Sequence, residues 1–93
     1  MMTADSTKMR EVAEDVANQR TKYNQVVSDL QNLITNLGNY WESVTYDQFK
    51  QLFDGKKPSL DEGSQIIQEF INGLTKAADE FDETQKKILN NLN

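Results

Sequence analysis

An all-α chain, folded as a helix-turn-helix hairpin with a break in its second arm, is what three observations predict, and the wide apolar face left on such a hairpin predicts pairing. Apolar residues recur at alternating four- and three-residue steps over two long stretches, about residues 8–37 and 67–88, which is the helical period. No stretch shows the two-residue alternation of a strand. The strongest helix punctuation, Gly38-Asn39 and the segment from Gly55 to Pro58, falls between those stretches. The whole chain, 1–93, reads as one hairpin domain: a helix over about 6–38, a turn at 39–43, a short helix over about 44–54, a break at 55–58 and a helix over about 59–90.

The first helix opens at Asp5 or Ser6, either of which is a suitable cap. Its stripe runs through Met9, Ala13, Val16, Arg20, Tyr23, Val27, Leu30, Ile34 and Leu37 to Trp41, with Arg20 the one charged member. Val12, Val26 and Leu33 widen it into the broad face of a bundle helix. No Gly or Pro interrupts residues 8–37, so about 30 residues form one helix roughly 45 Å long. Gly38 and Asn39 form the expected left-handed stop.

Ser43 is placed to cap a second helix starting near Val44, with Phe49, Leu52 and Phe53 on one face. Pro58 removes a backbone donor and pushes Lys57 away from helical geometry. Ser59 and Glu62 have capping-box spacing, which predicts a helix restart there. The last helix carries Ile67, Phe70, Leu74, Ala77, Phe81, Thr84 and Ile88 and is expected to fray over Asn90-Asn91-Leu92-Asn93.

Composition narrows the function. The 93 residues are 37% hydrophobic and 27% charged, with neither Cys nor His. That excludes disulfides, thiolate or imidazole catalysis and the common zinc ligand sets, so no catalytic, cofactor or metal site is expected. A net charge of -5, shared as -2 over residues 1–43, +1 over 44–58 and -4 over 59–93, disfavours nucleic acid and anionic membranes. Apolar runs never exceed two residues, which predicts neither a membrane span nor a signal peptide. The carboxylates Glu11, Glu14, Asp15, Asp79, Glu80, Asp82 and Glu83 read as solvated helix faces beside Lys and Arg.

The aromatic residues carry more information. Tyr40, Trp41, Tyr46, Phe49 and Phe53 crowd the turn, where they either close the end of the hairpin or anchor another chain. Trp41-Glu42-Ser43-Val44-Thr45, followed by Phe49 and set between two amphipathic helices, resembles the Trp-x-Gly (WXG) family of small type VII secretion proteins, the relatives of the mycobacterial early secreted antigen. Ser43 stands where that family has Gly, and Thr45 where a small Ala is common. The resemblance implies a hairpin that pairs antiparallel into a four-helix bundle with a related small helical protein, as homodimer or heterodimer, or that binds the helical domain of a Leu-x-Gly (LXG) toxin.

It also implies export without a cleavable signal peptide, from the cytoplasm of a Gram-positive bacterium, with a secretion ATPase as a possible partner. Family members carry a Tyr-x-x-x-Asp/Glu export signal after the second helix. The nearest match here is Phe81 with Gln85, which lacks the acid; Phe81 is either core or the residue of an incomplete signal. The partner interface is expected at Val16, Tyr23, Val27, Leu30, Ile34, Ile67, Phe70 and Leu74. The rival reading is an intracellular coiled-coil adaptor or regulatory subunit unrelated to secretion, for which heptads alone would suffice.

Overall fold

A computed structural model describes residues 5–41 and 43–91. Residues 1–4, Glu42 of the turn, and Leu92 and Asn93 of the expected frayed end lie outside the described residues. Two helices, α1 (Ser6–Leu37) and α2 (Val44–Asn91), fold back on each other as an antiparallel hairpin measuring 76 × 20 × 17 Å. Among the described residues there is no strand.

The N-terminus of α1 is capped by Asp5, whose carboxylate accepts from Lys8 N at 3.2 Å. The seam between the helices runs through buried Ala13, Val27 and Ile34 of α1 and buried Tyr46, Ser64 and Ala78 of α2. Ala, Ser and Val at these positions let the helix backbones come close, while the larger Met9, Val16, Ile67 and Ile71 lie half-buried beside them.

The break expected at residues 55–58 is not present: α2 is continuous for 48 residues with Pro58 inside it, and Ser59 and Glu62 are mid-helix rather than a cap. A proline in a helix interior costs about 3 kcal/mol through its missing donor and its clash with the carbonyl four residues back. Here Asp54 and Pro58 are both exposed, so water can take up the freed Asp54 carbonyl. The helix is held on both sides of the proline. Phe53 and Leu60 are half-buried, Tyr23 Oη donates to Leu60 O at 2.8 Å, and Lys57 pairs with Asp61 at 3.0 Å. Tertiary contact therefore overrides the local punctuation.

The left-handed stop at Gly38 is also corrected, since Gly38 is right-handed helical at φ -59° and ψ -21°. Its missing side chain serves close approach instead: a Cβ there would lie 2.9–3.0 Å from the Tyr46 phenol. At Gly73 nothing lies within 4 Å of such a Cβ. Opposite outcomes are expected from the same substitution. Gly73→Ala should raise stability by about 0.5–1 kcal/mol through helix propensity, and Gly38→Ala should lower it by about 1–3 kcal/mol by overpacking. Denaturant unfolding of the two variants beside the parent measures both.

Candidate partner-binding face and hairpin turn

The turn is assembled from backbone and aromatic rings. Leu37 O accepts from both Tyr40 N and Trp41 N at 3.0 Å, and Gly38 N and Asn39 N bond back to Thr35 O and Asn36 O. Ile34 O, one of the last carbonyls of α1 and so without a helical partner, accepts from Tyr46 Oη at 2.8 Å. Ser43 Oγ accepts from Tyr46 N and Ser43 O from Asp47 N, each at 3.2 Å. Position 43 thus works as a helix cap, and no described residue at the turn has the positive φ that would demand glycine. Trp41 is half-buried, edge-on to Tyr46 at 5.8 Å between ring centroids and tilted against Phe49 at 6.3 Å. Thr45 is exposed.

Along the shaft the two flanks of the seam differ. On one flank Arg10 donates to Asp79 and Asp82 at 2.8 Å. Ser6 also bonds the Asp82 carboxyl and, ahead of Arg10, is the main cause holding its pKa below the usual carboxylate value. On the other flank, four- and three-residue steps follow Val12, Val16, Gln19, Tyr23, Val26, Leu30, Leu33 and Leu37 on α1. On α2 they follow Thr45, Phe49, Leu52, Lys56, Ser59, Gly63, Ile66 and Phe70. Each stripe is rotated about a quarter turn from its seam in the same sense, and because the helices are antiparallel both stripes come up on one side of the hairpin. Lys56 is the one charged member of either.

Large side chains on this flank stand in the open: Leu33 is 67% exposed, Val26 63%, Phe70 62% and Leu52 58%. At the end away from the turn, Met9, Val12 and Leu74, with Asp5 and Lys8 at the rim, line a shallow groove of about 300 Å³.

The structure divides the residues that the sequence marks for a partner. Val27 and Ile34 are buried in the intramolecular seam, so they are withdrawn from any outer surface. Val16, Tyr23, Ile67 and Leu74 are half-buried at its edge, and Leu30 and Phe70 are exposed. Phe81 is half-buried and Gln85 exposed one turn further on. Sequence reasoning missed Arg20. It is half-buried rather than a defect in the stripe, with Nε donating to Ser64 O and Oγ at 3.0 Å and Nη1 to Gln68 Oε1. A polar residue at the same level of the opposite helix, Ser64, is the signal that could have found it.

A two-helix hairpin with an aromatic-capped turn and one long apolar flank places the chain among small helical-hairpin proteins. The chain belongs to the WXG100 family, described as proteins of 100 residues with WXG, which residues 1–86 match. It is similar to an ESAT-6-like protein of Streptococcus agalactiae serotype V, 26% identical over 86 residues that cover 85% of this chain and 90% of the relative. The family points to a small helical protein of type VII secretion, from a group not known for enzymes. Among the described residues, no helix is long and apolar enough to cross a membrane.

Two outcomes follow from the geometry. Trp41→Ala should cost about 2–3 kcal/mol, below the ~3–5 kcal/mol of a fully buried aromatic, because the indole is only half covered; chemical denaturation reads this. The lowered pKa of Asp82 stabilises the fold above the ordinary carboxylate range, and that contribution is lost as pH falls through its folded value. Acidification should therefore speed amide exchange in the first turn of α1, and Asp82→Asn should show the same fraying at neutral pH.

Proposed function

We propose that this chain is a non-enzymatic type VII secretion protein that pairs through its apolar flank with a second helical hairpin, completing a four-helix bundle. The partner is either another small protein of its kind or the helical domain of a toxin of the Leu-x-Gly (LXG) type. One observation carries the reading: an apolar flank reaching from the turn to the groove at Met9, Val12 and Leu74. Scattered apolar residues are ordinary on a soluble surface, but exposed apolar residues gathered on one side of both helices, interrupted on α2 only at Lys56, Ser59 and Gly63 between Leu52 and Ile66, mark an interaction site. Covering about five Leu, Ile or Phe side chains at ~1.5–3 kcal/mol each contributes roughly 8–15 kcal/mol before the costs of association. A partner of matching length and antiparallel direction would use the stripe along its whole extent.

The export address is read as incomplete. Gln85 supplies no charge one turn after Phe81, and Phe81 is half taken up by the hairpin. The adjacent Asp82 carboxylate is engaged by Ser6 and Arg10. The protein then leaves the cytoplasm of a Gram-positive host only with a second chain that completes the signal for the secretion ATPase.

Leu33→Glu and Phe70→Glu should each leave the isolated hairpin helical and reduce pairing at least tenfold, because a carboxylate would be buried without a partner. Sedimentation of the parent and the variants, alone and with the products of neighbouring genes, measures this. Equal association by parent and variants would contradict the assignment of this flank. In cells carrying the type VII apparatus, export should depend on the co-expressed partner; efficient export of the chain alone would refute the incomplete-signal reading.

A further inference from the structure

Lys50, Lys56 and Lys57 stand close together on the first half of α2, and they are not equivalent. Lys50 pairs with Asp54 and Lys57 with Asp61, each one turn ahead at 3.0 Å. Lys56 has Leu60 at that place and Leu52 one turn behind, so neither neighbour on its face of α2 is a carboxylate. Among the described residues its ammonium has no ion pair and no hydrogen bond. The residue is exposed, and in the single hairpin water solvates its charge.

Lys56 lies near the middle of the apolar flank. Tyr23 Oη bonds Leu60 O and Tyr46 Oη bonds Ile34 O, and between those two levels Lys56 stands beside Val26. The α1 stripe runs from Val12 to Leu37, which puts Lys56 within about 3 Å of its midpoint along the axis. A second copy laid antiparallel on this flank matches midpoint to midpoint, and its own Lys56 then arrives about 5 Å away along the axis.

No carboxylate of such a copy comes to that place. Neither stripe contains one. Asp29 and Asp15, at the edge of the α1 stripe, would fall about 9 and 12 Å from Lys56 along the axis, and Glu62 is turned about 120° from Lys56 around α2. Self-pairing would therefore bury two ammonium groups near each other with no counter-charge, a desolvation cost that nothing in the copy offsets.

We infer, resting on the pairing role proposed for this flank, that Lys56 excludes a second copy of this chain and selects a different helical hairpin, one whose facing apolar stripe carries an Asp or Glu near its middle. That carboxylate meets the ammonium inside the interface, with the Ser59 hydroxyl one turn on as a further donor. A single polar pair at the centre of an apolar helix interface commonly works this way, giving up stability to decide which chains associate.

Copies of the chain itself are the probes. Lys56 and Ser59 are exposed, so substitutions there should leave the hairpin helical by circular dichroism. In sedimentation equilibrium Lys56→Leu should self-associate at least tenfold more tightly than the parent. Equal self-association by the two, including none by either, would overturn the exclusion. Ser59 lies at the level that an antiparallel copy brings opposite Lys56. Titrated against labelled parent, a copy carrying both Lys56→Leu and Ser59→Glu should therefore bind at least tenfold more tightly than Lys56→Leu alone. No gain from Ser59→Glu would overturn the acidic partner. Leu33→Glu added to Lys56→Leu should dissolve the dimer; a dimer that survives it pairs elsewhere, which contradicts the flank as the pairing surface and not only the role of Lys56.

Discussion

Two antiparallel helices can bury one stripe each against one another, and this chain carries two apolar stripes on each helix. The inner pair closes the hairpin through Ala13, Val27, Ile34, Tyr46 and Ala78. The outer pair, with Val26, Leu33, Leu52 and Phe70, is left exposed among the described residues. A domain of this size is thinly stabilised by its own core, and here part of its apolar content is spent on the outside. The outward flank and the thin seam are consequences of one geometric limit.

A thin seam needs orientation as well as attraction, and polar groups supply it at several levels. Tyr46 satisfies a stranded carbonyl at the end of α1, Tyr23 and Arg20 engage α2 at mid-shaft, and Arg10 with Ser6 closes the far end on Asp79 and Asp82. Apolar contact tolerates sliding and rotation; a hydroxyl in a glycine notch or a guanidinium on a defined carbonyl does not. The Arg10 pairs put charge on one flank, whereas Lys56 is the one charged member of the stripes on the other. Ion pairs at the exposed flank add little stability of their own.

Much of this was legible in sequence. The period of the apolar residues gives α1 almost to the residue, and the Trp41-Glu42-Ser43 turn points to the family that the chain belongs to. Pro58 misleads because propensity is local, whereas α2 is held through it by Phe53, Leu60 and Tyr23. Gly38 suggests a backbone need when the real need is room for Tyr46. Which apolar residues turn inward was only half legible: adjacent stripes such as Val26–Leu33 and Val27–Ile34 are equivalent in sequence, and only packing tells which one closes the hairpin. Arg20 was hidden for a related reason, since a periodicity argument sees a charge in an apolar stripe but not the carbonyl and hydroxyl waiting opposite.

The reactivity of single cysteines in the living host tests the central claim most directly. Cysteines replacing Val26, Leu33 or Phe70 on the apolar flank, and Asn32 or Asn72 on the other side, can be alkylated in cells and again after purification and dilution. If the flank is a pairing surface, the first three should be protected in cells and become reactive on dilution, while Asn32→Cys and Asn72→Cys react alike in both. Flank cysteines as reactive in cells as those at Asn32 and Asn72 would contradict the account.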